Sequence, residues 1–230
     1  GAGEVVTVLS NAGANTLGNV VLNLETSSGL ADSMTVAIAA TTNAGQVLDL
    51  LTIDPASEAA TISVSGVTTA GLTQALTSLI ADGAKTINIL GSGNFTTQLD
   101  ESGGNANKTT LIDASTATGV LSITENVTNN ITIKGSAGQN TIAMGTTLNA
   151  SDTIEGGAST KDAVTATIAG LTATTGKLNL SAVETLALTL TDGGTSVLDM
   201  SSSTGLNTIT LAAGGTAGNG ILTASKLAAG

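Results

Sequence analysis

Aliphatic and polar residues alternate in short bursts along this chain. Glu4-Val5-Val6-Thr7-Val8-Leu9, Asn19-Val20-Val21-Leu22-Asn23-Leu24, Met34-Thr35-Val36-Ala37-Ile38 and Thr61-Ile62-Ser63-Val64 repeat with a period close to two. That is the period of a strand with one face buried. The run VLDLLTI from Val47 to Ile53 is more continuously apolar and predicts a central strand, ended by Asp54-Pro55. One stretch departs from the pattern. Ala70 to Gly83 reads AGLTQALTSLIADG, and Leu72, Leu76, Leu79 and Ile80 fall on one face of a helix. Thr68 or Thr69 stands where a helix is capped, and Gly83 where one commonly stops. The spacing predicts one short helix over residues 70–83.

Beyond position 83 the pattern becomes more regular. From Ile112 the aliphatics Ile123, Ile133, Ile142, Ile154 and Val164 follow at intervals of 11, 10, 9, 12 and 10 residues. Turn formers lie between them: Gly119, Asn129-Asn130, Gly135, Gly138, Gly145 and Gly156-Gly157. Short strands joined by tight turns of this kind build stacked coils. Inside this region Asn140-Thr141-Ile142, Asp152-Thr153-Ile154 and Asp162-Ala163-Val164 repeat one phrase: an acid or amide, a small residue, an aliphatic. Each phrase is expected to be one coil. The aliphatic points inward, and the acid or amide makes the corner, where its side chain bonds its own backbone. A longer echo links Leu111-Ile112-Asp113-Ala114-Ser115 with Val197-Leu198-Asp199-Met200-Ser201, 86 residues later from Asp113 to Asp199. The expected fold class is all-β: parallel β-solenoid or β-roll-like coils over residues 84–230, preceded by a β-rich region, residues 1–83, that ends in the helix.

Composition sharpens this picture. In 230 residues there is no Trp, Tyr, His or Cys, one Phe and one Pro. The core must be built from Leu, Ile, Val, Ala and Met, each worth roughly 1.5–3 kcal/mol when fully buried. A narrow, flat interior between stacked short strands suits such residues; a wide one needs aromatics. Without Cys there are no disulfides or thiolate sites, and without His there is no Ser-His-Asp triad or His-ligated zinc. No run of 18 apolar residues is present, so no membrane helix is expected. Six Lys+Arg against seventeen Asp+Glu give a net charge of −11. This balance argues against nucleic acid and against anionic membrane surfaces as partners. It is compatible with divalent cation binding, or with charge that only keeps the chain dispersed.

The corners offer a candidate cation site. A calcium-binding nonapeptide repeat reads G-G-x-G-x-D-x-aliphatic-x. The stretch IKGSAGQNTI, Ile133 to Ile142, fits that frame with Ser136 for one Gly and Asn140 for the Asp. The stretch IEGGASTKDAV, Ile154 to Val164, keeps the Gly156-Gly157 pair and carries one extra residue before Asp162. In such coils carboxylates and turn carbonyls of neighbouring coils hold calcium, a hard cation that takes six to eight oxygens. The expected ligand set is Asn140, Asp152, Glu155, Gly156, Gly157 and Asp162. The alternative is that these residues only make Asx-turn corners. Asp113, Asp192 and Asp199 are weaker candidates, because their turns lack a Gly pair at the right spacing.

GSAGQNTI and DTIEGGASTKDAV resemble degenerate RTX-type units. AVETLALTLTDGGTSVLDMSSSTGLNTITLAAGG resembles the strand-repeat segments of bacterial surface-layer proteins, in which a VETL strand, a Thr-rich strand and an LDxSxxTGLxxIT coil follow one another. Here these are Val183-Glu184-Thr185-Leu186 and Leu198 to Thr210. The likeness covers roughly residues 84–230, and the first 83 residues match only in style. It implies a secreted, calcium-dependent, non-enzymatic structural protein that assembles with copies of itself into a lattice on the outer cell surface. An outer-surface polysaccharide is the expected anchor. Two other readings stand beside it: a repeat segment of a secreted adhesin, with its function in exposed turns such as QLDESGGNANK (Gln98 to Lys108), and a subunit of an extracellular homopolymeric filament. A polysaccharide-cleaving solenoid is disfavoured, because sugar stacking needs aromatics and convergent acids.

Overall fold

The structure is a computed structural model, and it describes residues 5–9, 16–22, 33–39, 47–53, 59–64, 72–100, 108–168, 176–191, 195–213 and 221–225. Among them are nineteen strands, numbered β1 to β19 in chain order. The odd strands are β1 (Val5–Leu9), β3 (Ser33–Ala39), β5 (Ala59–Val64), β7 (Thr86–Gly91), β9 (Leu111–Asp113), β11 (Thr132–Lys134), β13 (Thr153–Glu155), β15 (Asn179–Ser181), β17 (Thr195–Asp199) and β19 (Ile221–Ser225). The even strands are β2 (Thr16–Leu22), β4 (Val47–Ile53), β6 (Thr73–Ile80), β8 (Asn94–Asp100), β10 (Leu121–Glu125), β12 (Asn140–Ala143), β14 (Ala163–Ile168), β16 (Thr185–Leu190) and β18 (Thr208–Ala213).

Successive strands go to opposite sheets. One sheet runs from β1 through the odd strands to β15, and the other from β2 through the even strands to β18. All the pairings are parallel; β17 pairs with β19, and Lys177 bridges Asp199 beside β15. This is a β-solenoid in which one coil is two strands and two corners. The sheets run past position 83 without a break, since β5 pairs with β7 and β6 with β8.

The phrase expected to be one coil is therefore half a coil. Ile142 stacks on Val164 and Val164 on Leu186 in the even sheet, at steps of 22 residues. Ile154 lies between the first two in sequence but belongs to the odd sheet, where it stacks on Ile133 and Leu180. Both half-coils use the same phrase because both must do the same thing: turn a corner, then place one aliphatic inward. Ile133, Ile142, Ile154 and Val164 are all fully buried between the two sheets. The interior is filled by such columns of Leu, Ile, Val and Ala, and Phe95 is its one aromatic side chain. Facing sheets lie about 10 Å apart, which a pair of aliphatic side chains spans.

The helix expected over residues 70–83 is not there: Thr73 to Ile80 form β6, paired on both sides. Its helical spacing has a different origin. The register of β6 against β8 shifts between Leu76 and Leu79, so that Leu76 faces Thr97 and Leu79 faces Leu99. The extra residue is a bulge, and it turns Leu76 and Leu79, three apart, to the same inner face. Both are 1 % exposed. The neighbouring strand matches it: Leu48 pairs with Leu76 and Leu51 with Leu79, and both are buried. This bulge also explains why Val47 to Ile53 lacks strict alternation. The caps at Thr68 or Thr69, the turns at Asp54-Pro55 and Asp192-Gly193-Gly194, and residues 101–107 of the polar turn lie outside the described residues.

Corners stack as closely as strands do, and that is where glycine is needed. A Cβ on Gly156 would stand 1.8 Å from the Ala182 carbonyl oxygen of the next coil. One on Gly138 would stand 2.4 Å from the Gly119 carbonyl oxygen of the coil before. Gly156→Ala is therefore expected to lower stability by about 1–3 kcal/mol through forced backbone displacement. Gly18→Ala on β2, where nothing lies within 4 Å of the added carbon, should instead gain up to about 1 kcal/mol. Denaturant unfolding midpoints of the two variants check the contrast.

Candidate metal site at the coil corners

The acids and amides of the repeated phrase sit two positions ahead of the strand's first inward aliphatic, where the chain leaves a corner. At that position each coil has a backbone N–H that the neighbouring coil must satisfy. The side chain of the next coil does so. The Asn140 N–H donates to Asp162 Oδ1 at 2.6 Å, and the Asp162 N–H donates to Glu184 Oε2 at 2.8 Å. On the opposite edge the Ile131 N–H donates to Asp152 Oδ1 at 2.9 Å. Each carboxylate thus staples its own coil to the one before it, through a charge-assisted bond.

These positions divide the six expected ligands. Asn140, Gly156, Gly157 and Asp162 share the edge by which the chain enters the even sheet. Asp152 lies on the other edge, just before β13, because the phrases alternate between edges as the strands alternate between sheets. Both of its oxygens are used, Oδ1 by Ile131 and Oδ2 by the Asn149 N–H at 2.8 Å. Glu155 is in neither corner. It pairs in register with Lys134 and Ser181 on the outer face of the odd sheet, in a column that also holds Asp113.

Within the shared corner Asn140 does not offer an oxygen. Its Oδ1 accepts from the Ser136 N–H at 2.8 Å and from Ser136 Oγ at 3.0 Å, which fixes the amide's orientation. Its Nδ2 then faces four oxygens: Gly156 O at 2.5 Å, Gly138 O at 2.7 Å, Asp162 Oδ1 at 2.9 Å and Ser136 O at 3.1 Å. An amide has two hydrogens to give. Here a neutral donor fills a cage of oxygens of the kind that a cation would otherwise fill.

The oxygen that remains is on Asp162. Its Oδ2 is buried and has no hydrogen-bond partner, and the residue is 1 % exposed. Burial pushes this carboxyl above the usual range, the two Asn140 donors oppose that, and the charge of Glu184 adds to it. Burial likewise raises Asp152 against its two backbone donors. Asp162 Oδ2, the Glu184 carboxylate and corner carbonyls such as Gly156 O are hard oxygen donors, which suit calcium or magnesium and not a soft metal. Among the described residues no group of three or more acids converges as a ready-made cluster. Glu184 was not among the expected ligands. It stands 22 residues after Asp162, as Asp162 stands 22 after Asn140, so the coil length would have revealed it.

The weaker candidates Asp113 and Asp199 make ordinary Asx turns. Asp113 Oδ1 accepts from the Ser115 N–H at 3.0 Å, and Asp199 Oδ1 from the Ser201 N–H at 2.9 Å. The long sequence echo is this one corner repeated on β9 and β17. No protein-family profile, curated protein or solved structure matches the chain.

Two carboxyls shifted in opposite senses give opposite pH dependences. Asp162 is raised, so its contribution is fully present below the unfolded value near 3.8 and is lost as pH rises through the folded value. Asp113 is lowered by the Ser115 hydroxyl and N–H, so its contribution is present above 3.8 and is lost as pH falls through the folded value. In metal-free buffer Asp162→Asn should raise stability at pH 7 by about 1 kcal/mol, the scale of one desolvated, unpartnered group. The gain should vanish below pH 3.8. Asp113→Asn should lower stability at pH 7 and change nothing at the acid end. Unfolding free energies measured from pH 3 to pH 7 separate the two.

Proposed function

We propose that this chain is a structural building material of the bacterial outer surface: a secreted protein that assembles with copies of itself into a surface layer stabilised by calcium. The observation that carries this reading is the use made of the corner acids. Asp152, Asp162 and Glu184 each bond the coil before their own. Polar chemistry is invested in stacking, and none of these side chains is arranged around a cavity with a nucleophile or base. The reading also draws on the resemblance of residues 84–230 to surface-layer strand repeats.

Calcium fits this role at the Asp162–Glu184 side of the corner. A cation there would partner the buried Oδ2 and relieve the repulsion between two neighbouring carboxylates in a chain of net charge −11. Bound to the folded state alone, it would stabilise that state by about 2.7 kcal/mol at a hundred times its dissociation constant. Asn140 would stay a staple and not become a ligand. An outer-surface polysaccharide is the partner proposed for anchoring.

Electron microscopy of the purified chain, with calcium and after chelation, tests the reading. Ordered sheets that form with calcium and disperse without it are the expected result. A monomer under both conditions would overturn it, and sheets indifferent to chelation would remove calcium from it. Asp162→Asn should abolish the rise in melting temperature that calcium gives the wild-type chain.

A further inference from the structure

Where the chain enters the even sheet, side chains of successive coils stack in a column. In order it holds Phe95, Leu121, Asn140, Asp162 and Glu184, and the Asn207 N–H follows on the Glu184 carbonyl. Negative charge is confined to two neighbours in this column. The junction of Leu121 with Asn140 has no carboxylate, that of Asn140 with Asp162 has one, and that of Asp162 with Glu184 has two.

At the junction with one carboxylate the space between coils is taken by Asn140 Nδ2. Ser136 O and Gly138 O of its own corner lie 3.1 and 2.7 Å from it, and Gly156 O and Asp162 Oδ1 of the next coil lie 2.5 and 2.9 Å from it. The amide has two hydrogens for these four oxygens. At least two of them therefore face its positive end without a hydrogen of their own. Calcium holds oxygens at about 2.3–2.6 Å and magnesium at about 2.0–2.1 Å. The cage is a little wide for the first and far too wide for the second. A divalent ion here would also leave one positive charge uncompensated beside Asn140, which is 0 % exposed. Buried charge without a partner is costly, and a neutral amide avoids it.

The geometry points to Asn140 as a built-in substitute for a cation. Its Nδ2 closes the junction with Asp162 without metal, and it confines calcium on this edge to the one place between Asp162 and Glu184. The second half rests on the calcium reading of that corner; the first stands on the hydrogen bonds alone. Asp162 divides its oxygens accordingly. Oδ1 belongs to the amide's cage, and the buried, unpartnered Oδ2 is the one left for a cation.

Taking the amide away should turn the cage into a cation site. Asn140→Ala empties it, while Asn140→Leu removes the hydrogens and keeps it filled. Equilibrium dialysis of the full chain against calcium should give Asn140→Ala one more bound ion than wild type, and Asn140→Leu no more than wild type. Both variants should melt below wild type in chelator, and calcium should restore Asn140→Ala by more degrees than it restores Asn140→Leu. Equal restoration of the two, or restoration of Asn140→Ala by magnesium as large as by calcium, means screening alone and overturns the proposal. Nuclear magnetic resonance of the wild-type chain in chelator needs no variant to fold. The Asn140 side-chain amide protons should exchange at least about tenfold more slowly than those of free asparagine. Exchange at the free rate overturns the plug. The two readings fail separately. A wild-type chain that takes no calcium, beside an Asn140→Ala chain that takes one ion, upholds the plug and sinks the calcium-stabilised layer. A wild-type chain that takes calcium, beside a folded Asn140→Ala chain that takes no more, sinks the plug and leaves the layer standing.

Discussion

A stack of parallel coils has to bond each coil to the next at its corners as well as along its strands. The strands supply their own ladder, but at a corner the backbone turns away and an N–H is left pointing at the neighbouring coil. A carboxylate from that neighbour accepts it: Asp152 for Ile131, Asp162 for Asn140, Glu184 for Asp162. The rest of the architecture depends on this bond. It sets the register in which Ile142 meets Val164, and thereby the column of aliphatics that fills the interior. It also leaves corner backbones so close that Gly156 has no room for a Cβ.

The same bond explains why the acids carry two meanings at once. A carboxylate held by one oxygen has a second one to place. Asp152 places it on the Asn149 N–H and is complete. Asp162 buries it without a partner. Asn140, an amide, turns its oxygen to Ser136 and sends its Nδ2 into the oxygen cage that the coils make. One position in the repeat thus yields a closed staple, a metal-free plug or an unsatisfied oxygen, according to the side chain and its corner. All three serve stacking, and the side chain at that position decides whether an oxygen is left over.

Much of this was legible in the chain, and the gaps have physical causes. Alternation located the N-terminal strands, and the absence of aromatics pointed to a thin interior, because both are local consequences of a half-buried strand. The sheet to which a strand belongs is not local. The phrase at Asp152 and the phrase at Asp162 look alike because each corner poses the same problem, yet they lie on opposite edges. The expected ligand set, drawn from neighbouring sequence, therefore spans both edges and leaves out Glu184, which is distant in sequence and adjacent to Asp162 in the stack. The helix expected over 70–83 failed for a related reason: a bulge put Leu76 and Leu79 on one face, three residues apart, and pairing with β4 and β8 decided the conformation.

The stapling carboxylates are tested most directly by native-state hydrogen exchange, followed residue by residue. The amides of Ile131, Asn140 and Asp162 lie in corners, yet they should be as protected as the strand amide of Ile142. Replacing Asp152 by Ala should release Ile131 while Asn140 stays protected. Corner amides that exchange as freely as exposed turns in the unsubstituted chain, beside protected strands, would contradict the account.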